Sequence, residues 1–287
     1  MPAFTNINRF YPEPGILTAI VKNITVAEMA VTKGWEKLFH LGGNYITFVL
    51  KGDVQIRSNE VIYDGSEVLF NASGTQFFEF KVQSDTLFAI ISLKPTTFNR
   101  VFHLNPADYN GKYLPAKKAI NDDLHDIREE LQTCNNYEEI ANRLFNWMEP
   151  WCKNIRNSNN LIDAIIEYIH IKNGCVKMLE IARRFKISRR SLEKYFKKEI
   201  GITPAHYTKT CRFASVLTLL QQSQKEHIDA VISILEYYDY SHFQKDFKRC
   251  MGIRFQDYIK AKQHPLLEFI SRYNSNFFPS AVMHFDE

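Results

Sequence analysis

Two short stretches of the chain carry side chains suited to gripping a polyanion and reading it. In the first, Arg189, Arg190, Glu193, Lys194 and Lys197 fall on one side of a helical pattern. The other side carries Leu192, Tyr195 and Phe196, which the spacing points inward. In the second, Ser241, Gln244, Lys245 and Lys248 lie opposite Phe243 and Phe247. Lys and Arg neutralise phosphates, while Arg, Gln, Ser and Glu can hydrogen-bond base edges in a major groove. Glu193 in particular could accept from a cytosine amino group. The plainer reading is a solvated or protein-binding helix face. Such a face more often balances acids and bases, which neither of these does.

The charge balance of the chain agrees with an anionic partner for this stretch. Net charge is +4. Residues 1–160 carry 16 Lys+Arg against 18 Asp+Glu, and residues 161–262 carry 19 against 11. Residues 263–287 carry one Arg and three acids. The positive charge is thus gathered in one segment of about 100 residues, the footprint of a polyanion-binding domain.

The elements that must position these side chains occur twice. Leu161, Ile162, Ile165, Ile166 and Ile169 form an apolar helical stripe closed by Asn173-Gly174. Met178, Ile181, Ala182 and Phe185 form the next, and Ser188 is placed to cap the helix that follows. Gly201 ends that helix, and Thr203-Pro204 starts a long one running to about Gln222. The pattern then returns. Ile228, Val231, Ile232 and Leu235 repeat the second stripe at an offset of 50. Asp239, Phe243, Phe247, Gly252 and Tyr258 answer Ser188, Leu192, Phe196, Gly201 and Tyr207 at an offset of 51. Two helices joined by a tight turn, the second basic outside, describe a helix-turn-helix. The connecting helix would span about 28 Å, and successive major-groove segments are roughly 34 Å apart. One chain could then read two of them.

The first 95 residues read as strands. Asn44–Leu50 and Val54–Arg57 flank Lys51-Gly52-Asp53 as an expected hairpin. Turn signals also stand at Asp64-Gly65 and Ser84-Asp85, and Leu17–Val31 supplies one or two further strands. The expectation is a small antiparallel sandwich or barrel. Trp35, Phe78, Phe80 and Phe88 could line a small-molecule pocket or simply fill the core. After Pro95 the period becomes helical, over Lys117–Cys134 and Tyr137–Trp151. The expected organisation is therefore α+β: a β-rich sensory or dimerising domain with packed helices over 1–152, a linker at 153–160, an all-α domain of two helix-turn-helix units over 161–262, and a tail at 263–287.

Several chemistries are disfavoured. The five cysteines are widely spaced with no CxxC pair, against a disulfide framework or structural zinc. A catalytic metal site on the strands needs several His and Glu side chains, and the stretch before Pro95 has one histidine, His40. Asp122-Asp123 and Glu129-Glu130 read as solvation and capping. There is no phosphate loop and no GxSxG elbow. No metal, cofactor or enzymatic activity is expected. No apolar run could span a bilayer and no secretory signal is read, so the expected place is the cytoplasm, with no membrane partner. A cupin-type enzyme with an accessory helical domain and a protein-interaction scaffold are the alternatives.

The motifs of residues 161–260 resemble the AraC/XylS family of transcription regulators. The first unit is similar to the family's S-x-R-x-L-x-R-x-F, G-x-x-P-x-x-Y and R-F patterns through Ser188, Arg190, Leu192, Phe196, Gly201, Pro204, Tyr207, Arg212 and Phe213. The second resembles G-Y-x-D-x-S-H-F-x-x-x-F through Tyr237 to Phe243 and Phe247. Lys194 stands for the second Arg, Lys186 and Glu236 for the two turn glycines, and Phe255 for a Pro. A residue other than Gly in a left-handed turn costs about 1 kcal/mol. The resemblance implies base contacts at Arg190, Glu193 and Lys194, and at Tyr240, Ser241, Gln244 and Lys245. It implies double-stranded DNA and RNA polymerase as partners, with a small-molecule effector and a homodimer as further expectations. The N-terminal segment is similar in order to cupin-like effector domains.

Overall fold

The computed structural model describes residues 4–39, 43–58, 60–65, 68–72, 77–110, 112–118, 120, 124–153, 155, 160–222, 228–251 and 254–260. His40, Asp122-Asp123, most of the expected linker and the expected tail lie outside them. The chain divides into two compact units: Met1–Ser158 with Lys197–Ile202, and Asn159–Phe196 with Thr203–Glu287.

The first unit is built on ten strands: β1 (Phe4–Phe10), β2 (Val21–Met29), β3 (Glu36–Phe39), β4 (Asn44–Lys51), β5 (Val54–Ser58), β6 (Val61–Asp64), β7 (Leu69–Asn71), β8 (Phe77–Val82), β9 (Thr86–Leu93) and β10 (Tyr113–Pro115). They form a six-stranded sheet ordered β1-β2-β9-β4-β7-β10 and a four-stranded sheet ordered β3-β8-β5-β6. The strand pairs are antiparallel. Three helices follow: α1 (Thr97–Arg100), α2 (Leu124–Gln132) and α3 (Tyr137–Cys152).

The expected hairpin at Lys51-Gly52-Asp53 is not one. β4 pairs with β9 and β7 in the large sheet, whereas β5 pairs with β8 and β6 in the small one. The burial of the two strands explains the split. β4 is buried at seven successive residues, as a strand covered on both faces must be, while β5 alternates. Gly52 turns the chain between the sheets at φ 86°. A Cβ there would lie 2.4 Å from the Asp85 carbonyl oxygen. The turns at Asp64-Gly65 and Ser84-Asp85 likewise carry the chain from one sheet to the other. The tight hairpin joins β5 to β6, with Glu60 left-handed at φ 65°. The stretch Leu17–Val31 yields a single strand, β2, after a 3-10 turn at Ile16–Ala19.

The core lies between one face of the large sheet and the helices. Ile24, Phe48, Phe70 and Ile91 pack with Ile127, Leu144 and Met148 in one buried cluster. Arg128 Nε donates to the Val49 carbonyl at 2.9 Å, and Gln132 Nε2 to that of Leu50 at 2.8 Å. These satisfy the end of β4, where the register with β9 shifts. The helix expected from Lys117 begins at Leu124; before it the chain is strand β10 and a 3-10 turn at Ala116–Lys118. The same unit takes in Glu199, paired at 2.9 Å with Arg100, both side chains under 10 % exposed.

The second unit is all helix: α4 (Asn160–Ile171), α5 (Met178–Arg184), α6 (Arg189–Glu199, whose end falls in the first unit), α7 (Pro204–Gln222), α8 (Ile228–Ile234), α9 (Tyr240–Met251) and α10 (Phe255–Lys260). The isoleucine stripe of α4 is buried at 162, 165, 166 and 169. α7 is buried on most sides, as a helix ringed by others must be. The protein is α+β, an antiparallel β-rich domain with packed helices followed by an all-α domain.

Candidate nucleic-acid interface

The second unit is built from one local device used twice. After α5 the chain reverses at Lys186, φ 49°, with Ile187 N–H donating to the Ala182 carbonyl at 3.0 Å. After α8 it reverses at Glu236, φ 53°, with Tyr237 N–H donating to the Ile232 carbonyl at 3.0 Å. Both are the six-to-one closure that ends a helix on a left-handed residue. The next helix then starts on a side-chain cap. Ser191 N–H donates to Ser188 Oγ at 3.0 Å, and His242 N–H to Asp239 Oδ1 at 2.6 Å. Thr203 caps α7 in the same way, accepting from His206 N–H at 3.2 Å.

Each reading helix is anchored by its apolar side. Leu192 and Phe196 are buried in α6, Phe243 and Phe247 in α9. Phe196 meets the buried ring of Tyr207 edge-on at 5.8 Å. The Tyr207 hydroxyl and His170 Nε2 are hydrogen-bonded at 2.8 Å, and burial pushes that phenol's pKa far up. Beneath α9, Phe255 stands edge-on to Phe243 at 4.9 Å and to Phe247 at 5.1 Å. The aromatic that replaces the expected Pro therefore fills the core under the second reading helix.

The outer sides carry the charged set. Ser188, Arg189, Arg190, Glu193, Lys194 and Lys197 are exposed in and before α6. Tyr240, Ser241, Lys245 and Lys248 are exposed in α9, and Gln244 is half-buried. Tyr195 was expected inward and is exposed instead. Tyr195, three residues after Leu192, lies at the edge of the inward face, where its ring is left open to solvent. Tyr195 thus joins the outer face. So does Tyr238, 92 % exposed in the turn before α9. Nothing in the local sequence marked the exposure of Tyr195 or of Tyr238. Lys197, Lys198, Lys248 and Arg249 stand in the last turns of α6 and α9, where they also offset the helix dipoles.

In the first unit the four candidate aromatics are not brought to one place. Phe78 and Phe80 are buried on β8, and Phe78 packs on Tyr113 at 4.3 Å. Phe88 is buried on β9, out of step with Ala89 and Ile91 of the helix-facing core. Trp35 lies under the Arg57 guanidinium, 3.9 Å from its ring centroid, and Arg57 pairs with Glu79 at 2.9 Å. Glu79 alternates with Phe78 and Phe80 along β8, so Trp35 belongs to the opposite face of the small sheet. Among the described residues no group of three His, Cys, Asp or Glu side chains could hold a metal ion. No described helix is long and apolar enough to cross a membrane.

A family model described as a helix-turn-helix domain matches residues 181–261. A search of curated proteins finds no match. Among solved structures, the chain is similar to ToxT from Vibrio cholerae at 14 % identity, covering 83 % of this chain and 97 % of that one, TM-score 0.48. It is similar to the unsaturated-fatty-acid-bound form of wild-type ToxT from the same organism at 15 % identity, covering 82 % and 94 %, TM-score 0.46. The EutQ protein of Clostridium difficile is similar at 19 % identity over 25 % of this chain and 55 % of that one, TM-score 0.22. The matched segment 181–261 runs from α5 to the end of the described chain and takes in both cap-turn-helix repeats, so the C-terminal unit carries a helix-turn-helix domain.

Proposed function

We propose that the protein is a sequence-specific regulator of transcription of the AraC/XylS type, in which α6 and α9 enter successive major-groove segments of duplex DNA. The observation that carries this reading is the repetition itself. Two capped helices each bury their aromatic side and expose a cationic, hydrogen-bonding one. Lys197 and Lys248, with Arg189, neutralise phosphates. Arg190, Glu193 and Lys194 of α6 meet base edges, as do Tyr240, Ser241, Gln244 and Lys245 of α9. The β-rich unit modulates this activity. A small-molecule effector held by that unit belongs to the same reading. RNA polymerase and a second copy of the chain are the further partners of this reading. Titration of the full chain with duplexes selected from a random pool, at several salt concentrations, tests it. The expectation is selective binding whose logarithm falls linearly with the logarithm of salt. Binding that ignores both sequence and salt would overturn it.

A further inference from the structure

The basic helix α9 contains one acid, Asp246, and it is turned away from solvent: its side chain is 14 % exposed. An acid presented to a duplex would repel phosphates, so its placement and neutralisation call for a reason. Asp246 Oδ1 accepts from Arg249 of the same helix at 2.8 Å. Its Oδ2 accepts from Arg212 Nη2 of the connecting helix α7 at 3.5 Å, and the Arg212 side chain is itself only 18 % exposed. The same guanidinium lies 4.8 Å from the ring centroid of Tyr237. Tyr237 is buried and directly follows the left-handed Glu236 in the turn before α9. One cation on α7 therefore holds the second reading helix at two points, its entry turn and its middle. The repeat offset of 51 puts Tyr195, an exposed residue, where the second unit has Asp246. This clamp belongs to the second repeat and is not part of the duplicated pattern.

We infer that Arg212 is a positioning residue for DNA recognition: through Asp246 and Tyr237 it fixes the direction in which α9 presents Ser241, Gln244 and Lys245. This rests on the DNA-binding reading above. A guanidinium spreads its charge over a planar group that reaches the Asp246 carboxylate and the Tyr237 ring together, whereas an ammonium is a compact point charge, so the shape as well as the charge matters here. Loss of the clamp loosens α9 on α7. Phosphate contacts tolerate such loosening because they act at a distance; base contacts, which need aligned donors and acceptors, do not.

The test uses the full-length chain and selection of bound duplexes from a random pool. Gln244→Ala and Arg190→Ala first mark which base positions α9 and α6 read. Arg212→Lys, Arg212→Met and the near-isosteric Asp246→Asn are then selected in the same way, with thermal melting to establish that each is folded. The expected result is a drop of about tenfold in preference at the α9 positions. Preference at the α6 positions stays at the wild-type level, and non-selective binding stays within about twofold. If Arg212→Met does not fold, Asp246→Asn carries the decision. Unchanged preference in folded variants, or an equal loss at every position, overturns the inference and leaves the functional reading standing. A wild-type chain without salt-dependent duplex binding overturns both.

Discussion

Lys186 and Glu236 occupy the same place in the two repeats, each the left-handed residue that ends one helix and admits the next, at φ 49° and 53°. Glycine takes this conformation without penalty, whereas a side chain costs about 1 kcal/mol or more. Lys186→Gly and Glu236→Gly are each expected to raise stability by up to about 1 kcal/mol, the gain being reduced by the added freedom of the unfolded chain. Gly174 provides the opposite case. At φ 73°, a Cβ there would lie 2.3 Å from the Arg212 amide nitrogen, so Gly174→Ala should destabilise strongly. Denaturant midpoints of the three variants check the pattern; a loss on both turn substitutions would refute it.

The helix caps offer a second measurement. Ser188 and Asp239 each satisfy a backbone N–H that the helix itself leaves unpaired. Replacing either by Ala should cost about 1 kcal/mol in thermal or chemical unfolding. If the caps act on α6 and α9 separately, hydrogen exchange in each variant rises mainly in its own helix. Equal exchange in both helices would count against independent capping.

A third expectation concerns pH. His206 is half-buried on α7, and burial holds its imidazole below the ordinary 6.5, with Lys209 and Arg249 pushing the same way. The folded chain therefore gives up this proton at a pH where the unfolded chain still holds it. Stability linked to His206 is complete above the unfolded value and is lost as pH falls from there towards the lower folded value. His206→Gln should lose less melting temperature than the wild type between about pH 7.5 and 5.5, the window that brackets the ordinary histidine value. Parallel curves would mean that other groups set the acid dependence.

On the reading helices, the two kinds of contact separate by experiment. Arg190→Ala or Gln244→Ala should cost about 1–3 kcal/mol on preferred sequences and relax preference at the bases concerned. Lys197→Ala or Lys248→Ala should weaken binding evenly across sequences and lower the salt slope by about 1. Fluorescence anisotropy on matched and scrambled duplexes distinguishes these; identical behaviour of the two classes would overturn the assignment of roles.

The local features of the helical unit were legible in the sequence. Ser188, Thr203 and Asp239 cap the helices where their residue types and neighbours put them. The left-handed turns on Lys186 and Glu236 carry no glycine to mark them, and only the family resemblance pointed to those positions. The inward stripes of α4, α6 and α9 follow the helical period, apart from Tyr195. Tyr195 sits at the edge of the stripe, where a ring can turn either way and the neighbouring helices decide. Strand existence was also legible over most of the β-rich unit, through β-branched runs and turn residues. β1, β3 and β10 were not: Phe4–Phe10 is half polar and pairs only on one side, with β2, and Glu36–Phe39 and Tyr113–Pro115 are too short to show an alternation.

What the chain alone determined are the features closed within about five residues: a cap reaches three positions on, a helical turn four, a left-handed reversal five. Each such interaction has both its partners in the local sequence. Which sheet a strand joins has no such local partner. Asn44–Lys51 and Val54–Ser58 are two residues apart, yet one pairs with Thr86–Leu93 and the other with Phe77–Val82. The same holds for the side of the small sheet on which Trp35 lies, and for the guanidinium of Arg212, which meets a carboxylate 34 residues later. Those choices were made by the packing of whole layers, since burying both faces of one strand and one face of another is a property of the assembled unit and not of either segment.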